Sequence, residues 1–171
     1  GAVIVVDAGA GVEVGTENSW QILEESGLPC IIFINKMDKE GADLNKALAD
    51  IKSRLSKKAT IIGSMDDPDL IESISESDDK LLEKYLEGKK LSAEEIKNGL
   101  TNAVIKRKVF PVVSGSALSD KGITELLDAF LQYLPSPSDL PGIEAMNPLN
   151  PEEKKTISPD PGGPFSAFVF K

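Results

Sequence analysis

This 171-residue sequence predicts an α/β fold with about three parallel strands. Three short runs, at residues 2–7, 30–34 and 109–113, consist mostly of apolar residues and are rich in β-branched ones, as strands covered on both faces are. A segment with helical periodicity follows each run, and strands that alternate with helices are typical of a parallel sheet. Hydrophobic residues make up 40% of the chain, which is enough to build a core.

Each helix is predicted from its caps and its apolar spacing. The first helix should begin after Thr16 as N-cap and end at Gly27, with Trp20 and Leu23 on its buried face. Apolar residues at positions 44, 47, 48, 51 and 55 form one stripe and indicate the second helix. Apolar residues at positions 123, 126, 127, 130 and 134 indicate the third helix, which Pro135 ends.

A small helical insert is predicted between the second helix and the third strand. It occupies about residues 57–107 and is acidic in character. One of its helices should begin with Pro68 at the first helical position. Ser92 and Glu95 have the spacing of a capping box and predict the start of another.

The composition also predicts where the domain ends. We expect one α/β domain, with its insert, over residues 1–134. Residues 135–163 are rich in Pro, Asn, Ser and Gly and predict an extended linker. Residues 164–171 predict a single further strand, for which the chain offers no partner.

The composition excludes several kinds of chemistry. Histidine is absent and Cys30 is the one cysteine, so Ser-His-Asp, Cys-His and His-zinc sites cannot be built from these residues. A single cysteine excludes a disulfide scaffold and indicates a reducing, cytoplasmic compartment. The formal net charge is −9, which argues against broad contact with nucleic-acid phosphates. No apolar run approaches the roughly 20 residues of a spanning helix, so we expect no membrane partner.

The sequence Asn35-Lys36-Met37-Asp38 directly follows the second predicted strand. Ligands of open α/β sheets bind at the carboxyl ends of strands, so a ligand loop is expected here. The Asp38 carboxylate can accept two N–H bonds from N1 and N2 of guanine, a donor pair that adenine lacks. The stem of Lys36 can lie on the base plane, and Asn35 can tie the loop together.

A second loop, Ser116-Ala117-Leu118, follows the third predicted strand in the same way. It should lie beside the first loop at the carboxyl edge of the sheet. Small residues there allow backbone N–H groups to approach a carbonyl such as O6 of guanine. We therefore interpret the two loops together as a guanine-binding site.

The chain resembles the translational GTPases, and among them elongation factor G. The resemblance runs nearly end to end. It is carried by Ala2-Val3-Ile4-Val5-Val6-Asp7-Ala8 with Gly11-Val12-Glu13, Ile34-Asn35-Lys36-Met37-Asp38, Leu82-Glu83-Lys84-Tyr85-Leu86-Glu87-Gly88, Gly115-Ser116-Ala117, Leu134-Pro135-Ser136-Pro137 and residues 165–171. Each motif alone is a modest signal, and their order along the chain makes the combination strong.

The resemblance implies a partial P-loop GTPase-type three-layer fold. Residues 1–134 would be the C-terminal half of a GTPase domain, and residues 164–171 the first strand of a following β-barrel. The parent protein would bind GTP and GDP with magnesium and hydrolyse GTP to GDP and phosphate, driving translocation on the ribosome. The family's base contacts map onto Asn35, Lys36 and Asp38, with Ser116, Ala117 and Leu118 completing the pocket.

Several features depart from the family pattern. The sequence contains no Gly-x-x-x-x-Gly-Lys-Ser/Thr, no switch regions and no catalytic His. We therefore expect the chain alone to be inactive in hydrolysis and to bind guanine nucleotide weakly or not at all, with no metal ligands of its own. The insert is short between Leu55 and Ser75, which indicates a paralogue or a trimmed insert and puts its contact with the ribosomal stalk in doubt.

Three other interpretations remain open. The parent could be a ribosome-recycling or ribosomal-protection paralogue. The chain could instead be a non-enzymatic interaction module on a GTPase-like scaffold. Gly9-x-Gly11 would suit a dinucleotide-binding enzyme, but Val14 stands where Gly or Ala is needed.

If preceding strands of the family sheet are missing, residues 2–6 form an exposed apolar edge, and we expect self-association through it.

Overall fold

The structure is a computed structural model that describes residues 1–63, 68–139, 141–147, 150–163 and 165–167. The chain divides into two compact units, Gly1–Leu134 and Pro135–Lys171. The elements of the first unit are β1 (Ala2–Asp7), α1 (Val14–Ser26), β2 (Cys30–Asn35), α2 (Leu44–Arg54), β3 (Ala59–Ile61), α3 (Pro68–Ser75), α4 (Asp79–Leu86), α5 (Ala93–Ile105), β4 (Phe110–Ser114) and α6 (Ile123–Tyr133). The second unit contains a 3₁₀ turn (Pro137–Asp139), β5 (Ile143–Asn147) and β6 (Asn150–Ile157).

The first unit is built on a parallel sheet with strand order β1-β2-β4-β3. The predicted α/β class is therefore confirmed, and each of the three predicted strands is present. The strand β3 was not predicted; it is only three residues long and pairs Ala59 with Phe110 on β4. Because all four strands are parallel, their carboxyl ends meet at one edge, and the loops that follow β1, β2 and β4 lie there.

Helices cover both faces of the sheet. The side chains of β2 are buried on both faces, because alternate residues point to opposite sides of a strand. Ile32 and Ile34 pack with α1 and α2, and Ile31 and Phe33 pack with α3, α4, α5 and α6. None of the helices in the described ranges is long and apolar enough to cross a bilayer.

The buried face of α6 differs from the prediction. Ala129 and Tyr133 are buried, whereas Leu127 and Phe130 are 57% and 48% exposed. Leu126 is partly buried and packs against the same core. Successive residues of a helix point about 100° apart, so a buried stripe through positions 126, 129 and 133 places its flanking neighbours in solvent.

The start of α1 also differs from the prediction. The helix begins at Val14 with Glu13 as N-cap, and Thr16 is the third helical residue. Thr16 accepts a hydrogen bond from the Glu13 N–H through its side chain, and the Glu13 side chain accepts from the Thr16 backbone. This capping box has Glu at the N-cap and Thr at the third helical position, the reverse of the usual order. The reversal explains why the sequence pattern indicates Thr16 as the N-cap. Gly27 ends the helix in a left-handed conformation, as predicted.

Three helices, α3, α4 and α5, lie within the predicted insert. The helix α3 begins at Pro68, and Ser92 and Glu95 form the predicted capping box of α5. The Lys84 ammonium pairs with the Glu95 carboxylate, which joins α4 to the start of α5. The strand β3 lies within the range that was assigned to the insert.

The second unit contains structure that the sequence analysis did not predict. Residues 135–163, interpreted as an extended linker, include the antiparallel hairpin of β5 and β6. Its strands carry Glu, Lys and Asn in place of apolar runs, and Lys154 pairs with Glu144 across the hairpin, so an apolar pattern could not reveal it. The strand predicted at residues 164–171 falls largely outside the described residues, and residues 165–167 have no regular secondary structure.

Candidate functional site

The two loops singled out by the sequence lie side by side at the carboxyl edge of the sheet. Ile34 pairs with Ser114 in the β2–β4 register. Beyond the strands, the Met37 N–H donates to the Gly115 carbonyl at 3.0 Å, and the Gly115 N–H donates to the Ile34 carbonyl at 2.9 Å. The predicted adjacency of the two loops is confirmed by these contacts.

The side chain of Asn35 joins the loops. Its Oδ1 accepts the Lys36 N–H at 2.8 Å and the Ala117 N–H at 2.9 Å. Its backbone carbonyl accepts the Ala8 N–H from the loop after β1 at 2.9 Å. One residue at the end of β2 thus fixes the loops that follow β1, β2 and β4 relative to one another.

Asp38 presents an ionised carboxylate beside the second loop. The Ser116 hydroxyl beside it lowers the pKa of Asp38 below its usual range. Ser116 is only 1% exposed, and its hydroxyl also accepts the Ser119 N–H at 3.3 Å. Asp38 itself is exposed, so a charged acceptor faces the solvent at this edge.

Glycine is required in the loop after β4. The loop closes on itself through paired hydrogen bonds between Ser116 and Lys121, at 2.8 and 3.2 Å. A Cβ at Gly115 would overlap the Lys121 carbonyl oxygen, and Gly122 has a φ of +76°, in the left-handed region that favours glycine. The tight closure leaves Ala117 exposed and Leu118 91% exposed at the tip.

Lys36 adopts a left-handed backbone conformation, with a φ of +65°. Its Nζ lies 2.7 Å from Oδ2 of Asp7, the last residue of β1, and Lys39 Nζ lies 3.8 Å from the same oxygen. The hydrogen bond from Lys36 is the main cause that holds the pKa of Asp7 well below its usual range, and the same contact raises the pKa of Lys36. Asp7 was not among the predicted site residues, because its place beside Asn35 follows only from the register of the sheet.

Asp7 is in turn held by its own loop. Its Oδ1 accepts the N–H groups of Gly9 and Ala10 at 2.9 and 3.2 Å. The Val12 N–H donates to Oδ2 of Asp50 on α2 at 2.6 Å. Arg54, one turn further along α2, donates to the Val12 carbonyl. The loop after β1 is therefore anchored from behind by the second helix.

The arrangement offers hydrogen-bonding groups at the carboxyl edge of the sheet. Within the described residues, no group of three or more Cys, Asp or Glu side chains is placed to hold a metal ion. Chemically, the exposed Asp38 carboxylate is able to accept hydrogen bonds from a ligand with paired N–H groups, and the Lys36 side chain lies along the same edge of the sheet.

Comparison with known proteins shows which family and fold the chain is similar to. Residues 1–136 match the family of the elongation factor Tu GTP binding domain. The fold is also similar to a crystal structure of a protein from Thermus thermophilus, with a TM-score of 0.68 and 28% sequence identity. That match covers 80% of this chain and 27% of the other, so this chain spans about a quarter of the length of that protein.

Proposed function

This chain belongs to the family of the elongation factor Tu GTP binding domain, and we propose that it supplies the guanine-binding half of the nucleotide site in an elongation factor G-like protein. The observation that carries the proposal is the junction of the two motif loops: Oδ1 of Asn35 accepts N–H groups from both loops, and the exposed Asp38 carboxylate lies in the first of them. A carboxylate at this position suits a ligand with two adjacent N–H donors, which guanine has at N1 and N2.

The proposed site discriminates against adenine through the same carboxylate. Adenine has no N–H donor at N1 and no amino group at C2, so Asp38 would lose its partners when adenine fills the site. A site built around a polar partner can reject an analogue that lacks the partner by roughly three or more orders of magnitude. Discrimination of this size requires that the base shields Asp38 from water.

The remaining motif residues complete the pocket. Asn35 holds the two loops together, the stem of Lys36 supports the base plane, and Leu118 forms an apolar rim. The Ala117 N–H donates to Asn35 in this structure, so a contact from Ala117 to O6 of guanine requires that hydrogen bond to be shared or exchanged.

The chemistry at the phosphates falls outside these residues. Phosphoryl transfer depends on positioning and on charge stabilisation around the phosphates, and this sequence has no phosphate-binding Gly-rich motif ending in Lys-Ser or Lys-Thr. We propose that the chain alone does not hydrolyse GTP and binds GDP weakly. Micromolar or tighter affinity for GDP in calorimetry would contradict this.

The role of the whole protein is a proposal by family resemblance. The parent would hydrolyse GTP, with magnesium at the phosphates, and would promote translocation on the ribosome in the cytoplasm. A recycling or ribosomal-protection role fits the same residues, because the guanine site would be common to all three. A translocation assay of the parent protein against a ribosome-splitting assay separates these roles.

A base-specificity switch tests the guanine site. Asp38→Asn replaces an acceptor by an amide that can donate, which disfavours the N2 amino group of guanine and suits the C2 carbonyl of xanthine. We expect ¹H–¹⁵N NMR titrations to show shifts at residues 35–38 and 115–118 with guanosine for the wild type, and with xanthosine for Asp38→Asn. Glu40→Gln, on the same exposed loop, is the matched control. Equal shifts with adenosine and guanosine in the wild type would contradict the proposal.

A further inference from the structure

We propose that Asp7 is a positioning residue of the guanine site, whose carboxylate holds the Lys36 side chain across the carboxyl ends of β1 and β2 as the floor under the base. This inference rests on the function proposed above. It adds a residue outside both motif loops and gives the left-handed conformation of Lys36 a role.

The order of the strands places the two motif side chains on opposite sides of β2. β1 and β4 flank β2, and Asp7 is the register partner of Asn35. Lys36 reaches back to Asp7 at the end of β1, whereas Met37, next to Asp38, donates its N–H to the Gly115 carbonyl in the loop after β4. The stem of Lys36 therefore crosses the edge on one side, and the acceptor for the base lies on the other.

The two oxygens of Asp7 have separate tasks. Oδ1 accepts two backbone N–H groups, from Gly9 and Ala10, which fix the orientation of the carboxylate. This leaves Oδ2 directed at the Lys36 ammonium at 2.7 Å. The Asp7 side chain is 19% exposed and that of Lys36 is 47% exposed, so a partly buried, fixed anion holds a more exposed cation.

The support of Asp7 does not depend on a nucleotide. The loop that follows it is anchored on α2 through the hydrogen bonds of Val12 with Asp50 and Arg54. Lys36 is consequently positioned before any base arrives, which reduces the side-chain entropy lost on binding. Because exposed ion pairs are weak and a fixed lysine saves only part of its rotamer entropy, loss of the contact should weaken binding about two- to tenfold.

The test is Asp7→Asn in the 171-residue chain. Asparagine keeps an oxygen acceptor for the N–H groups of Gly9 and Ala10 and removes the charge that holds Lys36. We expect guanosine affinity, measured by ¹H–¹⁵N NMR titration, to fall about two- to tenfold. The preference for guanosine over adenosine should persist, because Asp38 sets it. Lys39→Met, which removes the second cation near Asp7, is the matched control and should leave the affinity within about twofold.

A double-mutant cycle separates positioning from a merely structural role. Lys36→Met keeps the stem length and removes the ammonium, so Asp7→Asn should weaken guanosine binding no further in a Lys36→Met background. Additive losses would overturn the inference, since they would show that Asp7 acts through its own loop. Unchanged guanosine binding by the Asp7→Asn variant alone would also overturn the inference. Tighter binding would overturn it too, because it would show that the Asp7–Lys36 ion pair draws Lys36 away from the base.

The outcomes distinguish this inference from the proposed function. A wild-type chain with no preference for guanosine, together with an Asp38→Asn variant that behaves like it, overturns both. A wild type that prefers guanosine, together with an Asp7→Asn variant of equal affinity, overturns only the role of Asp7. Amide shifts of the apo variants that remain native outside residues 7–10 and 35–39 establish that the variants are folded.

Discussion

Replacing Asn35 by alanine should loosen the site and lower the stability of the first unit. The change removes the Oδ1 acceptor from the N–H groups of Lys36 and Ala117, at 2.8 and 2.9 Å. It leaves the backbone carbonyl of residue 35 bonded to the Ala8 N–H. The effect therefore reports the side-chain link between the two motif loops and not the sheet itself.

The size of the effect follows from the two hydrogen bonds. A typical intramolecular hydrogen bond contributes about 0.5–1.5 kcal/mol, and both of these lie at exposed positions where water can replace the lost acceptor. We expect the free energy of unfolding to fall by about 1–2 kcal/mol in total. With a urea slope of about 2 kcal/mol per M for a chain of this size, the midpoint should fall by about 0.5–1 M.

Urea unfolding followed by tryptophan fluorescence measures this loss. Trp20 is the one tryptophan of the chain and is 7% exposed. Its ring packs edge-on against that of Phe110, with 4.9 Å between the ring centroids. Its emission therefore reports the core of the first unit. Asn98→Ala, on the exposed face of α5, is the control and should shift stability by less than about 0.5 kcal/mol. An Asn35→Ala loss no larger than the control, with an unchanged Ala117 amide shift, would refute the reasoning.

Four further predictions concern the rest of the chain. Gly115→Ala should disrupt the loop after β4 and abolish guanosine-dependent shifts there, and native shifts in that variant would contradict the packing. The Cys30 thiol is fully buried, and burial raises its pKa to about 12, so it should react with iodoacetamide only on unfolding. The hydrogen bond from Lys84 lowers the pKa of Glu95 to about 2 from an ordinary 4.5. Stability from Glu95 should thus be complete above pH 4.5 and lost as the pH falls towards 2, and Glu95→Gln should remove this part of the pH dependence of unfolding. The edge strand β1 carries Val5 at 55% exposure, so light scattering should detect self-association that Val5→Lys reduces, and a monomer at high concentration would count against it.

The location of the motif loops could be predicted from the sequence for a general reason. Strands that are buried on both faces appear as apolar runs, and the carboxyl ends of parallel strands meet at one edge. The polar residues at 35–38 and 116–118 follow such runs directly, so their adjacency required no knowledge of side-chain contacts. The hydrogen bond from the Ala117 N–H to Oδ1 of Asn35 depends on rotamers and loop closure, which no pattern specifies.

The role of Asp7 required the register of the sheet. Asp7 ends an apolar run like many strand-terminal residues, and only its pairing opposite Asn35 places it within reach of Lys36. Apolar periodicity relates residues within one helix or strand, and residues 7 and 36 belong to different segments of the chain. A long-range ion pair is visible only after the fold is known.

The elements that the sequence analysis missed share a physical cause. The strand β3 is too short to show a pattern, and the hairpin of β5 and β6 is formed by polar and charged side chains around an exposed Ile143 and Met146. Apolar periodicity predicts elements that bury a face. It has little power for a hairpin whose strands are mostly exposed.

A crystal structure of the chain soaked with guanosine tests the central claim most directly. We predict that the base lies on the stem of Lys36, with its N1 and N2 atoms about 2.7–3.1 Å from the two Asp38 carboxylate oxygens. Asn35 should still link the two loops. Guanosine bound elsewhere on the chain, or bound at this edge with Asp38 turned towards solvent, would contradict the proposal that these residues form the base half of a GTP site.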